Sequence, residues 1–126
     1  MSATGKTDER GFTLIEMLVV LAILGLVASI AYPAVDHAMA GRHFAQAVAG
    51  VEGQLHAARA SAIASSRPTA FTPQDVPDDV TLDYVGGSPV FFADGSARGQ
   101  AVTVGIGQRR QRFAIDADTG EIVRTP

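Results

Sequence analysis

Glu16 stands at the head of a stretch, residues 12–35, that carries no other formal charge, five positions after a Gly11-Phe12 junction. An ionised side chain in hydrocarbon costs roughly 2.5–3.5 kcal/mol at a helix centre and less toward an end, so an acid kept there requires a positive partner. The other residues able to do chemistry are sparse. No cysteine is present, which excludes a disulfide framework, a thiolate metal site and a thiol nucleophile. His37, His43 and His56 are six and thirteen positions apart, spacings that do not align them as an i, i+4 ligand pair, so they read as solvent-facing helix residues. Asp116, Asp118 and Gly120 match part of a calcium loop, but glycine replaces the third acid and the segment reads as a hairpin turn. Gly105-x-Gly107 is followed by Gln-Arg-Arg rather than a further glycine, and no nucleophile elbow is present. These residues describe a protein that is not an enzyme and holds no metal or other cofactor.

Two charged clusters complete the inventory. Arg109, Arg110 and Arg112 form the densest cationic patch and have the chemistry to touch nucleic-acid phosphates. No aromatic residue interleaves them, and Asp116, Asp118 and Glu121 are near enough to pair with them across a hairpin, so a nucleic-acid partner is set aside. Asp75, Asp78, Asp79 and Asp83 read as a solvated acidic loop. The net charge of −3 is too mild to imply a polyanionic or polycationic partner.

The element that must position Glu16 is a membrane helix. A spanning helix needs about 20 mostly apolar residues, and 12–35 supplies them. Residues 1–11 form a short polar leader with Lys6 and Arg10, which places the N-terminus in the cytoplasm and the remainder outside. The rival reading is a cleaved secretory signal with a cut near Ala28-Ser29-Ile30-Ala31, giving a secreted soluble binding domain that begins at Tyr32. Glu16 is an odd intrusion in such a signal, and the helical pattern does not stop at Ala31.

In the segment 36–64, Phe44, Val48, Val51, Leu55, Ala58 and Ala62 recur three or four apart and form one amphipathic face. Pro33 removes a backbone donor between the apolar and amphipathic halves, so a kink is expected there. From 65 to 126 proline and glycine punctuate short β-branched and aromatic runs. This texture predicts strands at 69–72, 80–85, 89–92, 101–106, 112–116 and 121–124, joined as antiparallel hairpins. Turns are expected at Gly86-Gly87, Asp94-Gly95, Gly105 to Gly107 and Asp118 to Gly120. The sheet's apolar face, with Phe92, Val102, Val104, Phe113, Ile115 and Ile122, needs a cover, and the helix face from Phe44 to Ile63 supplies it. The expected fold is α+β, a long N-terminal helix packed on a small antiparallel head.

Gly11-Phe12-Thr13-Leu14-Ile15-Glu16 followed by an apolar helix resembles the class III signal of type IV prepilins and of the pseudopilins of type II secretion. The resemblance implies a leader at 1–11, cleavage between Gly11 and Phe12 by a prepilin peptidase, and N-methylation of Phe12. It implies an assembly role for Glu16, whose positive partner is the freed α-amino group of a neighbouring subunit, and it matches Pro33 to the family's helix-kinking proline. Residues 55–63, 92–97 and 115–122 are similar, more loosely, to the GspH/FimT group of minor pseudopilins and minor pilins. By this resemblance the chain is expected to be a minor pseudopilin, anchored by 12–35 in the bacterial inner membrane with a periplasmic head. Its partners are then other pseudopilins, the prepilin peptidase, the inner-membrane assembly platform and, at the head, exported protein. A minor type IV pilin of the FimT kind, in a pilus or DNA-uptake system, shares every N-terminal feature.

Overall fold

The computed structural model describes residues 11–126; Lys6 and Arg10, on which the expected orientation rests, lie outside the described residues. One helix, α1, runs Leu14–Ser65 and takes in Pro33. Alanine, leucine and other good helix formers carry it across its glycines, and the amphipathic pattern from Phe44 onward gives it a surface to bury. It stops at Ser65 through a recognisable device. Ser66 takes the left-handed conformation (φ 53°), Arg67 N–H donates to Ala62 O at 3.3 Å, and Ser66 N–H donates to Ile63 O at 3.4 Å. This is a Schellman closure, and Pro68 follows it and prevents continuation.

The chain divides after Met39 into two compact units. In the first, every described residue from Gly11 to Met39 is exposed, including Leu14, Leu18, Ile23, Leu24 and Leu26. In the second, seven strands form two sheets. The strands are β1 (Thr69–Ala70), β2 (Thr81–Val85), β3 (Val90–Phe91), β4 (Ala97–Arg98), β5 (Ala101–Ile106), β6 (Arg109–Ile115) and β7 (Ile122–Thr125). One sheet has the order β1-β3-β4 and the other β2-β5-β6-β7, and every pairing is antiparallel. The core joins Val48, Val51, Leu55 and Ala62 of α1 to Phe71, Phe91, Val102, Val104, Phe113 and Ile115 of the sheet side. The α+β architecture expected from the sequence is therefore the one observed, with the helix face at three- and four-residue spacing as cover.

Five details differ from expectation. The strands split into two sheets, because β2 does not turn back on β3 but pairs with β5, Tyr84 standing opposite Val102. Gly86 and Gly87 both have positive φ and carry the chain out of the larger sheet instead of forming a tight hairpin. β4 was not expected at all; it is a two-residue strand directly after the Asp94-Gly95 turn, too short for a periodic signal. β6 begins at Arg109, not at 112, because charged residues on a solvated face keep the ladder going to Ile106↔Arg109. Phe91 rather than Phe92 is the core aromatic. Two consecutive phenylalanines cannot both point inward in a strand, and Phe91 sits opposite the small Ala97, while Phe92 lies under the Arg98 guanidinium at 5.9 Å.

Candidate assembly site at the helix start

Gly11, Phe12 and Thr13 precede α1 in non-helical conformation, and Glu16 lies in its first turn. The first N–H groups of a helix lack intrahelical acceptors. Thr13 and Glu16 resolve this reciprocally: Glu16 N–H donates to Thr13 Oγ1 at 3.2 Å, and Thr13 N–H donates to Glu16 Oε2 at 2.9 Å. That is a capping box, whose Thr-x-x-Glu signature is present in the sequence and whose acid also sits favourably at the positive end of the helix dipole. The resemblance assigned Glu16 a partner in another subunit; the structure adds Thr13 as a partner within the chain. One carboxylate oxygen is engaged by Thr13, and Oε1 has no protein donor among the described residues. A surface concavity of about 350 Å³ lies beside it, lined by Phe12, Ile15, Glu16, Val19 and Val20. Its walls are apolar except for that acid. Pro33 lies within α1, two turns past Gly25, on an exposed stretch. The helix 14–65 contains a window long and apolar enough to cross a membrane, and none of that window is buried.

The head places the remaining sequence-singled residues apart from one another. His43 does not face solvent alone: its Nε2 meets Asp79 Oδ2 at 3.0 Å, tying the acidic loop to α1. The expected pairing of the arginines with Asp116, Asp118 and Glu121 does not occur. Strand alternation separates Arg109 from Arg110 and Arg112, and Arg110 reaches across β5 to Asp83 at 3.8 Å and to Thr81 Oγ1 at 3.1 Å. Asp116 instead folds its own turn, its Oδ1 accepting from Asp118 N–H at 3.0 Å, Thr119 N–H at 2.8 Å and Thr119 Oγ1 at 3.0 Å. Hydrogen bonds from Thr119 hold its carboxyl below the usual range, and Ser96 does the same for Asp94. Glu52 on α1 is likewise held low, chiefly by its hydrogen bonds with Arg124 of β7.

One staple was not visible in the residue types alone. Arg59 of α1 donates from Nη2 to Thr119 O at 2.8 Å, beneath two turns packed backbone against backbone. A side chain on Gly120 (φ 64°) would collide with the carbonyl oxygen of Gly95 (φ 88°) and crowd Arg59 Nε. Arg59 Nε is buried without a hydrogen-bond partner among the described residues.

Comparison with known proteins fits this geometry. Residues 6–32 match the prokaryotic N-terminal methylation motif. Type II secretion system protein H of Xanthomonas campestris pv. campestris is 29% identical across 96% of this chain and 88% of its own length. The type IV major pilin protein PilE1 of Neisseria gonorrhoeae is 41% identical over 52 residues, 41% of this chain and 32% of the pilin. A fimbrial protein of Pseudomonas aeruginosa is 34% identical over 73% of this chain and 57% of its own length. The chain thus spans about a third of the gonococcal pilin but most of protein H. No solved structure matches significantly. A methylation motif running into a long apolar helix is what this chain has in common with the type IV pilins it matches. The likeness that takes in the head as well as the helix is the one to type II secretion system protein H.

Proposed function

We propose that this protein is a minor pseudopilin of a type II secretion system, made as a precursor and assembled into a periplasmic pseudopilus that drives protein export. The observation that carries the reading is the likeness to protein H, which extends over 96% of the chain and so includes the head as well as the shared helix. In this proposal residues 1–11 are the leader, 12–35 the membrane-spanning half of α1, 36–64 its periplasmic half and 65–126 the head. Hydrolysis of the Gly11–Phe12 bond frees the Phe12 α-amine, which then takes a methyl group. The chain itself makes and breaks no bond.

The capping box gives Glu16 two tasks that do not compete. Oε2 closes the start of α1 on Thr13, and Oε1 is left for the Phe12 ammonium group of a neighbouring subunit. Such a pairing stabilises an acid at membrane depth beyond what the cap supplies, and it fixes the axial register of adjacent helices. Pro33 lets the two halves of α1 adjust as they pack against neighbours. The inner membrane holds the precursor, with the head on the periplasmic side.

The test is recovery of the protein with other pseudopilins. Pseudopilin assemblies cross-linked in the periplasm and then purified should contain the wild-type chain, and Glu16→Ala should be cleaved but incorporated at least about tenfold less, because an unpaired ammonium group is left in the helix core. Normal incorporation of Glu16→Ala would remove the register role. The reading as a minor type IV pilin shares this site; the pilin matches support it, and co-purification with pilus rather than secretion subunits would select it.

A further inference from the structure

β1 is an outer strand of the three-stranded sheet. Phe71 N–H donates to Pro89 O at 2.8 Å and Ser88 Oγ donates to Phe71 O at 3.0 Å, so the main-chain groups of residue 71 turn toward β3. Antiparallel alternation then turns the N–H and C=O groups of Ala70 and Thr72 the opposite way. Thr72 stays extended because a proline follows it.

Gln74 has the same parity and shows what such an edge takes. Its N–H donates to Gln54 Oε1 at 2.8 Å, and Gln54 Nε2 donates to Gln74 O at 2.9 Å. A side-chain carboxamide has the donor and acceptor of a peptide group, so Gln54 occupies the place that a neighbouring strand's peptide would fill. Ala70 and Thr72 have no equivalent partner among the described residues. A groove of about 380 Å³ lies along them, with Ala57, Ala58 and Ser61 of α1 on its far side and Gln54 and Gln74 at its end. That volume is within the range of natural ligand pockets.

The other edges are handled differently. The outer edge of β4 is taken, because Ala97 N–H donates to Ala117 O at 2.9 Å. β2 carries Asp83, paired with Arg110, and β7 carries Arg124, paired with Glu52, and charge on an outer strand is a common way of blocking strand addition. Residues 69–74 carry no charge, and neither does any residue lining the groove. The site therefore complements an uncharged, small-residue backbone and penalises a charged one, which would be desolvated without a partner.

We propose that the open edge of β1 is a docking site for an extended segment of another protein chain, with small uncharged side chains, which adds as a short strand hydrogen-bonded to Ala70 and Thr72. This inference does not rest on the filament reading; it concerns the head alone. Recognition is through the backbone, so it tolerates sequence variation so long as the side chains fit over Ala57 and Ser61.

The experiment is amide hydrogen exchange, read by NMR on the full chain in detergent micelles. The probe is a millimolar pool of capped pentapeptides built from Gly, Ala, Ser, Thr and Val, with the same pool N-methylated at alternate residues as control. The plain pool should slow exchange at Ala70 and Thr72 by at least about fivefold, and the N-methylated pool should not. Ala70→Pro removes one outward N–H without touching a ladder bond and should reduce the slowing at Thr72 at least about threefold. Ser61→Trp fills the groove from the helix side and should abolish it, with protection of Phe113 reporting that the head remains folded. The inference is overturned if the plain pool leaves both amides unchanged, if the N-methylated pool slows them equally, or if the slowing survives Ser61→Trp.

Discussion

The N-terminal part of α1 and the head solve opposite problems. From Gly11 to Met39 apolar side chains stand exposed with nothing among the described residues to cover them, whereas from Ala40 onward the apolar residues of the helix face are buried against two sheets. The same backbone element thus has two solvents. Its first part presents apolar surface all round, as a helix does when lipid or identical neighbours surround it, and its later part is amphipathic because one side meets a core and the other water. The lesson is that a leucine means different things at position 24, where it is exposed, and at position 55, where it is buried.

The sharpest way to break this comparison is to delete the same side chain in both parts. Leu55→Ala, a change at a fully buried site, should destabilise the head by about 2–5 kcal/mol in denaturant unfolding. Leu24→Ala, at an exposed site, should leave that unfolding unchanged within about 0.5 kcal/mol. Equal effects would show that the two parts do not differ as described.

A smaller effect is expected at the turn pair under Arg59. Gly120→Ala places a side chain against the Gly95 carbonyl in a left-handed conformation and should lower head stability by about 2–3 kcal/mol. A loss below about 0.5 kcal/mol would mean that the two turns separate at little cost. At the helix start, Thr13→Ala removes one half of the capping box and should cost about 1 kcal/mol, seen as faster amide exchange confined to the first turn of α1. Exchange unchanged there would remove Thr13 from the site.

The smallest effect is in the pH dependence of the head. Glu52, Asp94 and Asp116 are all held below their ordinary values of 4.5, 3.8 and 3.8, by Arg124, Ser96 and Thr119 respectively. A carboxylate whose folded value is lower than its unfolded value adds stability that is complete above the unfolded value and disappears as pH falls through the folded one. Urea midpoints should therefore fall below about pH 4, and Asp116→Asn combined with Glu52→Gln should flatten that fall. A profile identical to the parent's would show that these hydrogen bonds do not persist in solution.

Much of this organisation was legible in the residues. Val48, Val51 and Leu55 announced the covering face through spacing alone, and the alternation of Val102 and Val104 announced β5. Glu16 stood out in the sequence as a candidate because charge is so rarely left in an apolar run. Three things were not legible. Thr13 was hidden because its role is set by a four-residue capping pattern, overshadowed by the membrane reading of the same acid. The choice between Phe91 and Phe92 depends on which stands opposite Ala97, a cross-strand fact. The partners of Arg110 and His43 come from residues distant in sequence, Asp83 and Asp79, so proximity along the chain pointed Arg110 to the wrong acids and left His43 facing solvent.

The central claim, that the Thr13–Glu16 cap marks the start of a processed pilin-like helix, is tested most directly by mass spectrometry of the mature N-terminus from membranes. The account predicts a chain beginning at N-methylated Phe12 and continuing into the head. A chain beginning at Tyr32, or one still carrying its first eleven residues in cells with an active prepilin peptidase, would contradict it.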